Sequence, residues 1–308
     1  MKTSPVKFRH LSVFMEVARQ KSVSKAADSL AISQPAATKT IRELEQILDV
    51  RLFEKEGRGI RLSRLGEVFL RHAGQGMAAI SEGIDALTLA SRQSAPPLRI
   101  GALPTVSARI MPKAMQLYID EELNNETKIV TGENSVLLEQ LRMGELDLVV
   151  GRLAAPEKMT GLEFEHVYSE QVIFTVRTGH PLLFQSPFRL ENLRDYPVLM
   201  PTRASVIRPF VERMMLSYGM AELPRQIETV SSSFGRAYVR SSDAVWIISE
   251  GVVANDLADG RMKILPVDTS ETKGAVGITK RTDTPNTTAM SVMRQCIYQA
   301  AEGLHKSV

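Results

Sequence analysis

The sequence predicts two domains of different class, an N-terminal winged helix-turn-helix at residues 1–62 and a C-terminal α/β domain at residues 98–308. Helical apolar spacing followed by two short strand-like runs fills the first segment, whereas strand and helix signals alternate in the second. Between them, residues 63–97 carry a long helical pattern that ends at Pro96 and Pro97. Two prolines stop a helix because they lack backbone donors, so this stretch is interpreted as a linker helix and hinge.

Three helices are predicted before the hairpin. The first runs from Phe8 to Arg19, where apolar residues follow helical spacing. Ser22 or Ser24 can cap the second helix, and Ser33 can cap the third, in whose first turn Pro35 is tolerated. Only a tight turn separates the second helix from the third, which is typical of a helix-turn-helix.

The wing and the linker helix follow. Arg51 to Lys55 and Ile60 to Leu62 resemble two short strands, and the turn Glu56 to Gly59 lies between them. Ser63 can cap a helix that runs to about Arg92. Its apolar stripe consists of Leu65, Val68, Phe69, Ala73, Ile80, Ile84 and Leu87. Such a stripe without a following partner helix favours pairing with a second copy of the chain, and packing on its own chain is the alternative.

The second half alternates between strand and helix patterns, which predicts a parallel sheet with crossover helices. The predicted strands are residues 98–103, 128–131, 146–150, 172–176, 198–200, 244–248 and 276–279, and the predicted helices are residues 110–121, 135–143 and 286–302.

Composition excludes several classes of function. The 308 residues are 44% hydrophobic and 24% charged, which is ordinary for a globular protein. One cysteine and five scattered histidines offer no disulfide and no metal-ligand spacing, so we expect no metal and no cofactor. The N-terminus lacks a signal-peptide pattern and no apolar run is long enough to span a membrane, so we expect a cytoplasmic protein.

Charge and helix chemistry together point to double-stranded DNA. Residues 1–94 hold 15 Lys and Arg against 10 Asp and Glu, whereas the remainder holds 23 against 25. On the third helix, Gln34 can bond an adenine edge, Thr38 can contact thymine, and Lys39 can reach guanine or phosphate. The predicted DNA-binding set is completed by Pro35 on the same face, Arg58 at the wing tip, and Ser33, Arg42 and Arg61 as phosphate contacts. One such side chain alone is usually only solvated, so the prediction rests on the whole set.

The chain resembles LysR-type transcriptional regulators over essentially its whole length. The resemblance is carried by Phe8-Arg9-His10-Leu11, Ser24-Lys25-Ala26-Ala27, Ser33-Gln34-Pro35-Ala36, Leu52-Phe53-Glu54-Lys55, Arg99-Ile100-Gly101, Gly144-Glu145-Leu146-Asp147 and Gly179-His180-Pro181-Leu182. Two departures are that Leu48-Asp49-Val50 lacks the glycine usual after the third helix, and that Ser249 stands where a proline is common.

Within that family the chain is similar to activators of protocatechuate breakdown genes in the β-ketoadipate pathway. The segments that carry this similarity are residues 130–141, 149–158 and 241–251. The resemblance implies an α/β domain of the periplasmic-binding-protein type, with lobe I at about 98–165 and 267–308 and lobe II at about 166–266. It also implies a homodimer through the linker helix that assembles into a homotetramer, with RNA polymerase as a further partner.

The same resemblance implies an effector cleft between the two lobes. Ligands of open α/β sheets bind beyond the carboxyl ends of strands, so residues that follow strands are candidates. The predicted effector-binding residues are Thr105, Arg109, Asn134, Ser135, Pro201, Thr202, Arg203, Ser231 and Phe234. A ring-cleavage intermediate of this pathway carries carboxylates, so arginines near the strand ends favour a carboxymuconate-like effector. For each serine, threonine or asparagine, ordinary helix capping is the alternative.

Other functions remain as alternatives. A LysR-type regulator of another pathway would have a different effector, and a DNA-binding protein without a ligand would have no need of a cleft. An enzyme with an appended DNA-binding head would require a catalytic constellation. The sequence shows no Ser/His/Asp or Cys/His arrangement and no phosphate-binding glycine motif, so we expect no catalytic residues.

Overall fold

Three helices, a hairpin and one long helix form the N-terminal part of the protein. This computed structural model describes residues 6–57, 59–92, 95–220, 223–283 and 286–304. The chain divides into two compact units, the first with residues 1–93 and 142–145 and the second with residues 94–141 and 146–308. The elements of the first unit are α1 (Phe8–Gln20), α2 (Val23–Ser29), α3 (Gln34–Leu48), β1 (Phe53–Glu56), β2 (Gly59–Leu62) and α4 (Arg64–Arg92). β1 and β2 pair antiparallel, which completes the winged helix-turn-helix predicted from the sequence.

Serine side chains begin three of these helices. The hydroxyl of Ser22 accepts a hydrogen bond from the Lys25 amide, and that of Ser33 accepts one from the Ala36 amide. The hydroxyl of Ser63 accepts a hydrogen bond from the Gly66 amide at 2.9 Å. Each cap satisfies an amide that has no partner within its own helix.

The end of α3 explains the missing glycine. Asp49 ends this helix with φ 53°, in the left-handed region where glycine is favoured. Aspartate tolerates that region better than most residues, because its short side chain can bond to the nearby backbone. Asp49 therefore provides the left-handed turn between α3 and the hairpin.

A small aromatic core holds the first unit together. Phe14 is fully buried, and its ring lies 5.3 Å from that of Phe53 and 5.1 Å from that of Phe69. Leu44 and Leu52 are also fully buried. Helix α1, the wing and α4 thus share one core.

The buried carboxylate of Glu45 connects α3 to the wing. Its Oε1 accepts hydrogen bonds from the amides of Leu52 at 2.8 Å and Phe53 at 3.3 Å, while its Oε2 accepts one from Arg51 at 3.1 Å. Phe53 begins β1 and the other two residues directly precede it, so Glu45 fixes the position of the hairpin relative to α3.

The second unit contains two five-stranded sheets, one for each lobe. The lobe I sheet has the order β4-β3-β5-β12-β6 and the lobe II sheet the order β11-β7-β10-β8-β9. The strands are β3 (Ala95–Ala102), β4 (Asn125–Thr131), β5 (Leu148–Arg152), β6 (Leu162–Glu170), β7 (Val172–Arg177), β8 (Val198–Met200), β9 (Gln226–Glu228), β10 (Val245–Ser249), β11 (Met262–Ile264) and β12 (Gly274–Arg281).

Helices cover both sheets. They are α5 (Pro104–Arg109), α6 (Met111–Ile119), α7 (Asn134–Arg142), α8 (Arg208–Ser217), α9 (Ser232–Ser241), α10 (Ala254–Ala258) and α11 (Thr288–Ala301), with short 3-10 helices that include Glu250–Val253 and Ser270–Thr272. The core of lobe I contains Ile100, Leu141 and Tyr168, and that of lobe II contains Phe174 and Val211.

The sheets differ from the parallel arrangement expected from the alternating pattern. β3 pairs in parallel with β4 and β5, but β12 runs antiparallel to both β5 and β6. In lobe II, β7 runs antiparallel to β10 and β11. The reason is that the chain crosses between the lobes twice, at Gln171 and again after β11, and strands that enter a sheet by such a crossing reverse direction.

Two predicted boundaries also differ from the structure. β6 stays in the lobe I sheet to Glu170, so the division at about residues 165/166 falls inside a strand. β3 begins at Ala95, so Pro96 and Pro97 belong to its first residues rather than to a free linker. The register of β3 on β4 shifts between Ala95 and Leu98, an irregularity that suits residues without a donor amide.

None of the helices in the described residues is long and apolar enough to cross a bilayer.

The Glu45 contacts lead to a stability prediction. Glu45→Ala leaves the Leu52 amide without its acceptor in a buried position, so we expect the free energy of unfolding of the first unit to fall by about 1–3 kcal/mol. Native-state hydrogen exchange of the α1 and α3 amides measures it. Gln46→Ala, on the exposed adjoining position, is the control and should change that free energy by less than about 0.5 kcal/mol. Equal protection in the two variants would refute the role given to Glu45.

Candidate nucleic-acid interface and ligand cleft

The first turns of α3 present an exposed polar face. Gln34, Pro35, Lys39 and Arg42 are exposed and Thr38 is half-buried, and together they line a shallow groove on the surface of the helix. The opposite face of α3 is buried through Ala37, Ile41 and Leu44. The structure thus brings together five of the predicted DNA-binding residues on one surface.

The charge of this face is partly balanced by one carboxylate. The Lys39 side chain is 77% exposed, and its Nζ lies 4.0 Å from Oε1 of Glu43. Oε2 of the same carboxylate accepts a hydrogen bond from Arg9 of α1 at 3.2 Å. Because the Lys39 contact is long and solvated, the ammonium group can turn toward a phosphate or a base without losing a strong partner.

The remaining predicted DNA contacts lie at the two ends of the motif. Ser33 is exposed, and its hydroxyl serves as the cap of α3. Arg61 is exposed on β2 and donates to Glu54 of β1 at 2.8 Å. Arg58, at the tip of the hairpin, lies outside the described residues.

A cleft opens between the two lobes of the second unit. Four predicted effector-binding residues line it: Thr105 and Asn134 from lobe I, and Pro201 and Thr202 from lobe II. Ser249, which replaces the expected proline, also lines the cleft. The hydroxyl of Thr202 donates to Glu133 across the cleft at 2.9 Å, so one hydrogen bond already joins the two walls.

The structure does not bring three of the other candidates to the cleft lining. Ser135 is exposed on α7, one residue beyond the buried Asn134. Ser231 caps α9 through the Phe234 amide at 3.2 Å, as the capping alternative anticipated. Phe234 is 43% exposed, and its ring stacks on that of Tyr238.

The two predicted arginines also lie elsewhere. Arg203 is exposed. Arg109 donates to Glu250 at 3.3 Å, and its other terminal nitrogen lies 3.7 Å from Glu170. Arg109 is therefore paired with carboxylates of this chain. It lines a separate depression with Tyr168 and Gln171.

Sequence reasoning missed the cation that does line the cleft. Arg152 ends β5, is 4% exposed, and belongs to the cleft lining. Burial lowers the pKa of its guanidinium. The predicted strand ends at Val150 but β5 continues to Arg152, which therefore lies at the strand end where ligand-binding residues are expected.

Glu170 lies at the join between the lobes. It accepts hydrogen bonds from the Thr105 hydroxyl and from the Gly251 amide at 3.2 Å. Burial raises the pKa of its carboxyl. The hydroxyl hydrogen of Thr105 is thus donated to Glu170 rather than to a ligand in the cleft.

Trp246 forms part of the cleft wall from β10 and is the single tryptophan of the chain. Its ring packs against Gly235 of α9, where a Cβ would come within 2.4 Å of ring carbon Cζ2. A glycine is needed here because α9 lies directly on the indole.

Within the described ranges, no group of three or more His, Cys, Asp or Glu side chains is placed to hold a metal ion.

Comparison with known proteins adds family matches to both units. Residues 8–67 match the family model "Bacterial regulatory helix-turn-helix protein, lysR family", and residues 91–302 match "LysR substrate binding domain". The chain is 60% identical to HTH-type transcriptional regulator PcaQ of Agrobacterium fabrum, with 96% of this chain and 95% of that protein covered. It is 32% identical to the uncharacterized HTH-type transcriptional regulator YdcI of Escherichia coli, with 95% of each covered.

A solved structure matches the fold of the whole chain. A full-length OxyR variant from Pseudomonas aeruginosa superposes with a TM-score of 0.59 at 23% identity, with 95% of this chain and 97% of that chain covered. The two-domain fold class predicted from the sequence is confirmed. The expectation that the protein is not an enzyme is confirmed by the relatives, which are named as transcriptional regulators.

The packing of Trp246 gives a testable consequence. In Gly235→Ala the new methyl group forces the indole to move, so we expect the second unit to lose about 1–3 kcal/mol of stability. Urea unfolding followed by Trp246 emission measures this loss. Gly303→Ala is the control, because nothing lies within 4 Å of its added Cβ. If the two variants unfold at the same urea concentration, the tight contact at Gly235 is absent.

Proposed function

Because the chain belongs to the LysR family of bacterial transcriptional regulators, we propose that it activates genes of protocatechuate breakdown in response to a carboxylate intermediate of the β-ketoadipate pathway. The observation that carries the pathway is the 60% identity to the regulator named PcaQ over 96% of the chain. It agrees with the three segments of the effector half that resemble activators of this pathway. Members of this family bind DNA and small-molecule effectors, and both surfaces have candidates here.

The DNA site of the proposal is the exposed face of α3. Gln34, Thr38 and Lys39 read base edges in the major groove, because a glutamine amide and a lysine ammonium match the donors and acceptors presented there. The proposed phosphate contacts are Ser33, Arg42 and Arg61, which set the register, with Arg58 at the wing tip and Pro35 beside the bases.

The exposed side of α4 is the proposed dimer surface. Leu65 and Ile84 are more than half exposed, and Val68 and Ile80 are 39% and 44% exposed. We propose that two copies bury this surface against each other and that two dimers form a homotetramer, which works in the cytoplasm with RNA polymerase as a further partner. Sedimentation of the full chain as a monomer at micromolar concentration would contradict this assembly.

The effector acts by shifting the population between two arrangements of the lobes. The cleft is built from both lobes, so a ligand that contacts both walls favours the lobe arrangement in which those contacts are made. The shift passes to the DNA-binding helices through α4 and alters the spacing and bending of the operator. A ligand with equal affinity for both arrangements would change nothing.

Base reading by Gln34 is testable with the intact protein. In Gln34→Ala the amide that bonds the base edge is lost, so we expect operator affinity to fall by at least about 10-fold with no loss of folding. Gel-shift titration at one fixed salt concentration measures it. Gln116→Ala is the matched control, since it makes the same change at an exposed glutamine of α6 in the second unit. A gel-shift affinity unchanged in Gln34→Ala would remove Gln34 from the proposed contact set.

The proposed effector is tested on the DNA complex. We expect β-ketoadipate or carboxymuconate to change the nuclease footprint of the protein on its operator, because cleft closure alters dimer spacing. The fully methylated ester of the same acid, in which every carboxylate is neutralised, is the control and should leave the footprint as it is without ligand. A footprint that responds to neither acid argues for another pathway, and one that responds equally to the ester argues against carboxylate recognition.

A further inference from the structure

The effector cleft contains a buried positive charge that this chain does not neutralise directly. Arg152 is 4% exposed, and no carboxylate of the described residues forms an ion pair with it. Glu170 attracts it only from a longer distance and is itself bonded to Thr105 and Gly251. A charge taken out of water is expensive unless it is paired and hydrogen-bonded.

The guanidinium group is held in place by its surroundings. Nη2 donates to the carbonyl of Thr272, and the group stacks on the ring of Phe210 with Cζ 5.1 Å from the ring centre. Gly274 lies beneath it, where a Cβ would come within 2.3 Å of Nη2. Nη1, in contrast, is buried and finds no hydrogen-bond acceptor among the residues the structure describes.

The other polar groups of the cleft are mostly neutral. Arg152 is the one cationic residue and Glu133 the one acidic residue among the described residues that line it. Glu133 accepts the hydrogen bond from Thr202, so it is occupied by the opposite wall rather than by Arg152. The cleft therefore offers an anion a single fixed charge, at the end of β5.

We propose that Arg152 is the carboxylate-binding residue of the cleft. Nη1 is buried in this structure, so a local rearrangement brings it to the bound ligand. A carboxylate oxygen then accepts from Nη1, and the pair of opposite charges replaces the missing partner. This inference rests on the proposed function, because it assigns the ligand class of the same cleft. It extends that function by naming the residue that separates an acid from its uncharged ester.

Arg152 is also a positioning residue for the joint between the lobes. Its partner Thr272 lies in the second crossing between the lobes, and the Thr272 hydroxyl accepts from the amide of Val172 at 2.9 Å, next to the first crossing. Both crossings thus meet at the residue that binds Arg152. A carboxylate bound to Nη1 changes the electrostatic field at this joint. Ligand binding in the cleft is thereby coupled to the arrangement of the lobes.

Adipate, a six-carbon dicarboxylate, is the probe, and Trp246 emission of the full-length protein is the readout because this indole lines the cleft. We expect adipate to change the emission of the wild-type protein and dimethyl adipate to have no such effect. In Arg152→Gln the apparent affinity for adipate should fall by about 10- to 100-fold, the range of a hydrogen bond to a charged group. Arg213→Gln makes the same change at an exposed arginine of α8 and should bind as the wild type does.

A second variant covers the case in which Arg152→Gln fails to fold. Gly274→Ala keeps the charge but displaces the guanidinium, so it should also weaken adipate binding. Adipate that leaves the wild-type emission unchanged, or that binds Arg152→Gln or a folded Gly274→Ala as tightly as wild type, overturns the inference. If adipate binds through Arg152 while the pathway acids leave the operator footprint unchanged, the anion site stands and the proposed pathway is wrong.

Discussion

The buried carboxylate of Glu170 is the constraint on which the ligand half of the protein depends. It ends β6 in lobe I, accepts from Thr105 at the start of α5, and accepts from Gly251 in the turn that follows β10 of lobe II. A Cβ at Gly251 would come within 2.4 Å of the Thr105 hydroxyl, so this close approach is open only to glycine. Glu170 thereby connects the two lobes beside the cleft.

A buried carboxylate also positions neighbouring elements in the N-terminal unit. Glu45 lies on the buried side of α3 and accepts hydrogen bonds from the amides of Leu52 and Phe53 at the start of the hairpin, so a single carboxylate positions α3 relative to the wing. Asp49 then turns the chain in the left-handed conformation. In both units, a buried acidic side chain that accepts backbone amides does the positioning, while the residues offered to partners remain at the surface or in the cleft.

The sequence correctly predicted the winged helix-turn-helix and most long elements, because these have clear periodicity and helix caps. Ser33 and Ser63 cap the helices as predicted, and the strand at Val198–Met200 lies where expected. The missed elements include the short α5, β9 and β11. They also include the nine-residue β6 and the ten-residue α8, so length alone does not decide which elements the sequence pattern predicts. The antiparallel strands were missed because direction depends on where the chain crosses between lobes. Arg152 was missed because the predicted strand ended two residues too early, at Val150, and its burial depends on packing from β12 and α8.

The strand order of lobe I has a consequence for synthesis of the protein. β12 lies between β5 and β6, although it is made last, so this sheet cannot close until nearly the whole chain has left the ribosome. At roughly 5–20 residues per second, the about 200 residues after α4 take roughly 10–40 s to make. During that time the winged helix-turn-helix has been synthesised, but the effector domain is incomplete. An interrupted chain would keep the means to find an operator without the means to respond to a metabolite, so nascent or truncated copies would compete with the regulated protein for its sites.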